Sequence, residues 1–595
     1  MQCRRVPFIR GYYFTVIVPS HSRLAIFLRV VLLPLVLSLA TVAVLGSYYE
    51  TSDDTTLAWL FSGILAVKPI ISVPLYLHGY GHLLAAAYSA APGVPWLGLL
   101  LGGLLGGATV LAFAVLDRLL RPWLRSVPLT LVMVGFFGVA WVEHWLWFSH
   151  ARVALLLAGT ALLYAAQRPG RPRALLLGLA GLVAAWLLRP SLALLALGAT
   201  LPAVLLLSGR WRRAVPLLLI AALVLAFATG TAALLRTPAE TQNQVQDGWF
   251  ARILDFDQLQ PQPRTPADSL GTAAIHLWLL GDSTMVNEAL CRRVYRFNSP
   301  DFFGQVVPAK LGLRAGLLAR DYFPLLLALL VSAVAMLRRR GDYCLFWLVQ
   351  LGFAGVLIVF AGLLKLPPRL ALPMLDFWLL TNLVFWLRLS RSSDQPITSS
   401  PSYTAETLPF SPLVRRLGAA VVLAVFLVYG TKTLHRRQVL KQEWSHHALA
   451  LAEISRRSEG RIRVLAGTSD LLKSLSPFRV YTVGAGPVLL LSGWSAHDPS
   501  QSALRQYLAG TVDQTACLRR LAASGRNVQW LLSVETARWL NRRWRYQSAP
   551  GAGVVLEPGS ALAADTTLRF YRPVQTHKYV GSDASRITSA PTLAR

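Results

Sequence analysis

Two adjacent carboxylates follow the first apolar segment of the chain. Asp53 and Asp54 stand in the stretch SYYETSDDTTLAWLFSG, positions 47–63. A carboxyl group at the edge of a membrane can have a raised pKa and act as a general base, and a pair can also supply oxygen ligands to a divalent cation. The same spacing fits helix capping, because Asp54 precedes a predicted helix over 55–66. The segment therefore predicts either reactive carboxylates or a helix cap.

Three isolated cations lie in apolar surroundings further along the chain. Arg189 stands in LLRPSLALL, and Lys365 and Arg369 stand in LLKLPPRLALP. A guanidinium suits a phosphate or pyrophosphate because it donates two parallel hydrogen bonds. For Arg189 the alternative is a side chain that merely extends from an apolar helix to the membrane surface.

Histidine and acidic residues mark two further candidates for substrate binding. His78 and His82 in HGYGH are four residues apart, as metal ligands on one helix face can be, although the glycines between them disfavour a helix. An interfacial cluster of aromatic and histidine residues is the other interpretation. Glu143 and His144 lie in WVEHWLWFSH, whose tryptophans are typical of a membrane interface.

A third candidate lies in the segment AAIHLWLLGDSTMVNEALCRRVY. Trp278 could stack on the face of a sugar, and Asp282, four residues later, could bind its hydroxyl groups. Capping of a helix by Asp282 is an equally good explanation.

The composition excludes most classes of soluble protein. The chain has 595 residues, of which 54% are hydrophobic and 14% are charged, and its mean hydropathy is +0.49. A soluble domain carries about 25% charged residues, and a disordered chain needs still more polar character. The net charge of +30 does not indicate a nucleic-acid partner, because the arginines form short clusters between apolar segments, as they do in membrane proteins.

A membrane-spanning helix needs about 20 mostly apolar residues. Eleven segments are candidates: 24–46, 95–116, 127–143, 150–167, 174–188, 191–208, 214–235, 322–337, 343–364, 370–387 and 417–431. Each even-numbered segment is followed by a cluster of arginines, so the positive-inside rule predicts a cytoplasmic N-terminus and, with an odd number of spans, an extracytoplasmic C-terminus.

The predicted fold class is an α-helical polytopic membrane protein with about 11 transmembrane helices and a C-terminal extracytoplasmic α/β domain. Residues 1–431 form the membrane module, with outer loops over 47–94 and 236–321 and a Ser/Thr/Pro-rich cytoplasmic linker over 389–414. Residues 432–595 alternate strand and helix patterns and predict the α/β domain.

The order of these motifs resembles the GT-C superfamily of integral-membrane glycosyltransferases. An acidic pair follows the first span, Arg189–Pro190 opens a later span, a long outer loop carries Trp278 and Asp282 as WxxxD, and a KLPPR loop precedes a late span. More narrowly, the chain looks like uncharacterised bacterial GT-C-like proteins whose tails carry GW-x-x-x-x-P, matched here by Gly493, Trp494 and Pro499.

The resemblance implies an enzyme of the bacterial cytoplasmic (inner) membrane that transfers a sugar, with inversion, from a polyprenyl-phosphate donor on the outer face. Asp53 or Asp54 would be the base, with Asp54 preferred; Arg189, Lys365 and Arg369 would bind the donor phosphate. Asp282 would be a second acidic residue of the site. The partners implied are the lipid-linked donor, membrane lipids and a glycan, lipid or protein acceptor.

No cofactor is required by the resemblance, because some members of the superfamily use a divalent metal and others do not. The second acidic cluster of metal-dependent members is at best Glu143 here, which favours metal independence and leaves Mg²⁺ or Mn²⁺ as the alternative. Two other functions stay open: handling of lipid-linked glycans by a ligase, polymerase or flippase, and a non-catalytic membrane scaffold. A flippase is disfavoured because the middle of the predicted spans is nearly free of charge.

Overall fold

The computed structural model describes residues 22–73, 79–209, 211–339, 343–392, 412–524, 527–547 and 553–576. The predicted linker 389–414 and His78 therefore lie largely or wholly outside the described residues. Within the described residues the chain is mostly helical, as a polytopic membrane protein requires.

Every predicted span falls on a helix, although not all of these helices are long enough to cross a bilayer. In the described part of the chain, seven meet the length and hydropathy expected of a span: Arg23–Leu45, Trp96–Leu120, Ser126–Leu146, Pro190–Leu207, Trp211–Leu234, Cys344–Gly362 and Pro368–Arg388. An eighth would be the pair Ser299–Asp321 and Phe323–Leu337, which is bent by 94°. The predicted total of eleven stays a prediction.

The fourth and fifth predicted spans form the shorter helices His150–Ala166 and Pro172–Leu188. His150–Ala166 lies at the centre of the bundle, where it packs against Trp96–Leu120, Pro172–Leu188 and Pro190–Leu207. Nearly all of its residues are buried, including its small ones. A helix that is apolar all round is typical of such a central position.

The eleventh predicted span is the first part of one long helix, Pro412–Arg457. At about 1.5 Å per residue this helix is far longer than a bilayer is thick. It carries the chain without a break from the apolar segment to the C-terminal sheet, so the predicted boundary at 431/432 lies inside a continuous helix.

The C-terminal region contains a five-stranded sheet. Its strands are β5 (Ile462–Ala466), β6 (Val488–Leu490), β7 (Val528–Ser533), β8 (Gly553–Ala561) and β9 (Leu568–Thr576), and they lie in the order β6-β5-β7-β9-β8. Strands β6, β5 and β7 are parallel to one another. Strand β9 is antiparallel to its two neighbours, β7 and β8. The helices that accompany them are Pro499–Ala509, Gln514–Ala523 and Val534–Gln547.

The long outer loop and the sheet share one hydrophobic core. Phe250, Leu280 and Leu290 from the loop pack in the same cluster as Leu518 and Trp530 from the tail. The loop is itself folded: its elements are the helices Pro238–Phe250, Pro266–His276 and Glu288–Val294 and the two-residue strands β3 (Gln260–Pro261) and β4 (Tyr295–Arg296). The two regions predicted as separate thus form one unit over the membrane helices.

The first loop is held to the helical bundle by a small parallel ladder and to the tail by hydrogen bonds. Strand β1 (Tyr48–Tyr49) pairs with β2 (Trp147–Phe148). The backbone N–H of Tyr49 donates to the carbonyl of Leu475 at 2.8 Å, and the indole of Trp59 donates to the carbonyl of Tyr481 at 2.8 Å. The helices of this loop are Ser52–Phe61 and Gly81–Ala90.

Candidate functional site

The acidic pair lies where the first loop meets the start of the central helix. The ladder between β1 and β2 ends at Tyr49 and Phe148, and each chain then enters a helix, Ser52–Phe61 on one side and His150–Ala166 on the other. Asp53 and Asp54 are in the first turn of the former. Adjacent residues on a helix point in directions about 100° apart, so the two carboxylates have different neighbours.

Asp54 is fully buried and holds the central helix. Its Oδ1 accepts hydrogen bonds from the backbone N–H of His150 at 2.9 Å and from Nδ1 of the same residue at 2.7 Å. Its Oδ2 accepts from the hydroxyl of Thr51 at 3.3 Å. A carboxylate at a helix N-terminus is favoured by the orphan N–H groups and the helix dipole. Asp54 is therefore a capping and positioning residue.

His150 connects Asp54 to Arg189. A guanidinium nitrogen of Arg189 lies 3.2 Å from His150 Nε2. A guanidinium can only donate, so Nε2 accepts and Nδ1 carries the proton that goes to Asp54. The predicted phosphate-binding arginine is thus oriented by a residue that the sequence analysis did not single out.

Asp53, by contrast, is half-buried and lines a cleft of about 700 Å³, open space included. The cleft lies between the first loop, the helix Pro238–Phe250 and the tail. Its polar lining comes from all three regions: Ser52, Asp53, Thr56, Asn243, Asp247, Ser469, Ser492, Ser495, His497 and Asp498. Of the two carboxylates, Asp53 is the one that lines the cleft, so this geometry favours Asp53 as the base over the preferred Asp54.

Burial raises the pKa of Asp53 above its ordinary value. The positive charges of Arg369 and Arg189 oppose this shift, while the negative charge of Asp54 adds to it. The carboxyl group therefore holds its proton to a higher pH than an exposed aspartate does. A raised pKa makes a carboxylate a stronger base.

Arg369 is held in place by Glu50. The buried Glu50 accepts from the backbone N–H of Arg369 at 3.2 Å and from its guanidinium at 3.4 Å, and its other oxygen lies 2.9 Å from the guanidinium of Arg152. Arg152 is fully buried. Arg189 and Arg369, two of the predicted phosphate-binding cations, do not line the cleft, but their positive charges lower the pKa of Asp53.

The opposite wall of the cleft carries an Asp–His pair. His497 Nε2 lies 2.5 Å from Asp247 Oδ1. Next to it, Asp498 caps the helix Pro499–Ala509 and accepts from the backbone N–H of Ser500 at 2.9 Å. Burial raises the pKa of Asp498 from its ordinary value, against the hydrogen bonds from Ser500. This wall can accept hydrogen bonds from sugar hydroxyls.

The tail motif brings an aromatic ring to the cleft. Trp494 lines it, and the ring of Trp278 packs edge-on against Trp494 with centroids 5.6 Å apart. The N–H of Gly493 donates to the carbonyl of Trp278 at 2.9 Å. Gly493 has a φ of +97°, a conformation that favours glycine. Trp278 therefore supports the cleft through Trp494.

Asp282, predicted as a sugar ligand, does not line the cleft and is engaged in buried contacts. Its carboxylate accepts from the hydroxyls of Thr284 and Thr515, both at 2.6 Å, and lies 3.7 Å from the guanidinium of Arg543. It is almost fully buried. These contacts join the outer loop to the tail helices.

Glu143 and His144, predicted as substrate ligands, are also engaged away from the cleft. Buried Glu143 forms ion pairs with Lys432 and with Arg436, the latter at 2.7 Å. His144 lies 2.8 Å from Asp376, and both of these side chains are fully buried. Asp376 lies within the helix Pro368–Arg388, so the prediction of nearly charge-free spans missed a buried ionisable pair.

Lys365 and His82 do not line the Asp53 cleft either. The ammonium of Lys365 is 2.5 Å from Asp255, and this pair sits beside Lys310 rather than beside Asp53. His82 is exposed in the first turn of the helix Gly81–Ala90. His78 lies outside the described residues.

Among the described residues, no group of three or more His, Cys, Asp or Glu side chains is placed to hold a metal ion. Metal independence, with Mg²⁺ or Mn²⁺ as the alternative, stays a prediction. Comparison with protein-family models, curated proteins and solved structures finds no match to the chain. The function is accordingly inferred from the cleft and its surroundings.

Proposed function

We propose that this protein is a membrane glycosyltransferase that moves a sugar, with inversion, from a polyprenyl-phosphate donor to an acceptor hydroxyl in the Asp53 cleft. One observation carries the proposal: a half-buried carboxylate lines a cleft and has two guanidinium groups, those of Arg189 and Arg369, in its electrostatic surroundings. A base beside phosphate-binding cations is what such a transfer needs.

Asp53 is the proposed base. It would take the proton of the acceptor hydroxyl as that oxygen attacks the anomeric carbon, and the bond from this carbon to the phosphate oxygen would break. Burial raises its pKa and so increases its affinity for the proton. Asp54, whose oxygens accept from His150 and Thr51, would hold the base and the central helix in register.

Arg189 and Arg369 are the proposed ligands of the departing phosphate. Negative charge grows on that phosphate as the sugar leaves, so a guanidinium stabilises the transition state more than the ground state. Both arginines have a partner that fixes their direction, His150 for Arg189 and Glu50 for Arg369. Groups held in advance stabilise charge without having to reorganise during the reaction.

An apolar groove adjacent to Arg189 suits the prenyl chain of the donor. The groove lies between the helices Pro190–Leu207, Cys344–Gly362 and Pro368–Arg388 and encloses about 2410 Å³, open space included. Its lining begins at Ser191, two residues after Arg189, and is mostly leucine, valine and phenylalanine. A prenyl phosphate could therefore lie with its chain in the groove and its phosphate at Arg189.

The test is transfer of a labelled sugar from polyprenyl-phosphate donors by the full chain in proteoliposomes. We expect Asp53→Asn to lower turnover by about 10²- to 10⁴-fold, the usual contribution of a general base. Arg369→Gln should lower kcat/KM for the donor. Glu557→Gln, which removes an exposed carboxylate on β8, is the control and should turn over normally. Full turnover by Asp53→Asn with every donor that the wild type uses would contradict the proposal.

Translocation of a lipid-linked glycan is a second candidate function, and one observation favours it. The pair His144 and Asp376 is buried in the helices predicted to span the membrane, where ionisable residues often mark a transport path. A flippase would move a fluorescent lipid-linked glycan across the bilayer without breaking its glycosidic bond. Asp376→Asn should stop this movement if transport is the function, and should leave sugar transfer intact if it is not.

A further inference from the structure

The end of the bundle away from the Asp53 cleft gathers arginines around a recess. The helices Pro190–Leu207 and Pro368–Arg388 both begin near the cleft, beside His150 and Glu50 respectively. The second has 21 residues and is about 31 Å long at 1.5 Å per residue. Its far end is therefore about one bilayer core away from the cleft.

Three guanidinium-bearing side chains, those of Arg118, Arg121 and Arg388, line this recess, which encloses about 1230 Å³, open space included. Within the described part of the chain, no carboxylate lines it. The nearest acidic group, buried Asp117, is already paired with Arg121 and with Arg29, the latter at 2.9 Å. The recess thus holds an excess of positive charge.

Neighbouring arginines add to this excess. Arg168 lies with its guanidinium 3.7 Å from the ring centroid of Tyr164 and donates to the carbonyl of Ala114 at 3.2 Å. Burial first, and then the charges of Arg118 and Arg171, lower the pKa of Arg168 to about 10, although Tyr164 opposes the shift. Cations held this close to one another favour an anionic partner.

The recess is continuous with the apolar groove. Both are lined by Leu206, Gly209 and Arg388, and Arg388 donates to the carbonyls of Leu206 at 3.2 Å and Gly209 at 2.8 Å. A cationic recess at the membrane edge, joined to an apolar groove between helices, matches an amphiphile with an anionic head.

We propose that the recess and the adjoining part of the groove bind one anionic phospholipid, with its phosphodiester on Arg118, Arg121 and Arg388 and an acyl chain in the groove. A phosphodiester accepts the forked hydrogen bonds of a guanidinium, and an acyl chain covers leucines that are otherwise exposed in the part of the groove beside the recess, such as Leu345 and Leu348. This site lies at the opposite end of the helices from Asp53 and does not depend on the proposed transferase activity.

The test is native mass spectrometry of the full chain in mixed nanodiscs of phosphatidylglycerol and phosphatidylcholine. We expect selective retention of phosphatidylglycerol by the wild type. The double variant Arg118→Gln/Arg388→Gln should retain it about twenty-five-fold less, because each arginine that contacts an anionic headgroup contributes about fivefold to its binding. The matched control is Arg125→Gln/Arg173→Gln, which removes two exposed arginines at the same end and should change retention by less than about threefold.

A second variant separates loss of the site from loss of the fold. Leu348→Trp fills the groove from an exposed position and should weaken retention of phosphatidylglycerol while the melting temperature stays that of the wild type. Glycerol 3-phosphate serves as the soluble anion and should not displace the lipid at equal concentration. Equal retention of the two phospholipids, unchanged retention in the Arg118→Gln/Arg388→Gln variant, or displacement by glycerol 3-phosphate would each overturn the proposal.

Discussion

The carboxylate of Asp54 lies 2.7 Å from Nδ1 of His150 and accepts the backbone N–H of the same residue. The two hydrogen bonds fix the start of the central helix and the direction of the imidazole ring. Through that ring they also fix Arg189. This arrangement leaves the adjacent Asp53 on the cleft, so one acidic pair supplies both a positioning residue and the proposed base.

Substitution of the two aspartates should separate stability from activity: Asp53→Asn should affect turnover, and Asp54→Asn should affect stability. Asp53→Asn removes a half-buried negative charge whose pKa burial raises, so we expect an unchanged or higher melting temperature and the loss of turnover. Asp54→Asn weakens hydrogen bonds to a buried partner and should lower the free energy of unfolding by about 1–3 kcal/mol. Thermal unfolding and sugar transfer by the same purified samples measure both effects. An Asp54→Asn variant that unfolds normally but is inactive would instead identify Asp54 as the base.

The pH dependence of kcat/KM should report the raised pKa of Asp53. A base works only when it has lost its proton, so activity should fall on the acid side with a midpoint above the ordinary aspartate value of about 3.9. Because burial raises this pKa and Arg369 lowers it, Arg369→Gln should move the midpoint further up. A midpoint that stays or moves down in this variant would contradict the role of Arg369 beside Asp53.

The same group should affect stability with a definite sign. The folded-state pKa of Asp53 is raised, so the folded protein binds the proton more tightly than the unfolded chain does. Protonation of Asp53 therefore stabilises the folded state at pH values below the pKa of this group in the unfolded chain. This stabilisation is lost as the pH rises through the pKa of the group in the folded protein. Unfolding of the wild type and Asp53→Asn at several pH values measures the difference.

The helices were the part of the fold that the sequence could predict, since each apolar segment falls on one. The apolar composition of a segment and the arginine cluster that follows it are local features of the sequence, so they can be recognised without the tertiary fold. The lengths were less predictable: 150–167 reads as a span, yet its helix is the short central one, buried on all sides. An all-apolar helix has the same pattern in lipid and in a protein core.

Only some residues of the cleft and its surroundings could be predicted, because the others are recognisable only from contacts between distant segments. Asp53 stood out as half of an adjacent acidic pair, and Arg189 and Arg369 stood out because isolated charges in apolar segments are unusual. His150, Asp247 and His497 did not, because each sits among polar or aromatic residues and gains its role from segments up to 250 positions away. Pairings of that kind depend on the tertiary fold. The WSAHD stretch of the tail motif was the available signal for His497.

His150 should act as a positioning residue for Arg189. His150→Phe removes both ring hydrogen bonds, so we expect the KM for the donor to rise about tenfold, the effect of losing roughly 1.4 kcal/mol of binding, with a smaller change in kcat. His150→Gln can still hydrogen-bond and should recover part of the loss. Steady-state kinetics at varied donor concentration separate the two constants. Equal kinetics for Phe and Gln variants would show that the hydrogen bonds to the ring do not matter.

Glu143 should stabilise the fold without taking part in transfer. Its carboxylate accepts from Tyr429 at 3.0 Å and pairs with Lys432 and Arg436, which joins the helix Ser126–Leu146 to Pro412–Arg457. Removing one partner of a buried ion pair costs about 3–5 kcal/mol, because the other charges stay buried. Glu143→Gln should therefore lower the free energy of unfolding by about this amount and leave turnover per folded molecule unchanged.

The control for this variant is Glu459→Gln, which removes an exposed carboxylate just after the same long helix and should leave stability within about 0.5 kcal/mol of the wild type. Denaturant unfolding in detergent compares the two variants, and active-site titration with a non-transferable donor corrects turnover for the folded fraction. Asp321, which also pairs with Arg436 at 3.1 Å, still offsets part of the positive charge that Glu143→Gln leaves uncompensated, so the loss should fall at the lower end of the range. If Glu143→Gln unfolds like the wild type but transfers sugar poorly, Glu143 binds substrate after all, as the sequence alone suggested.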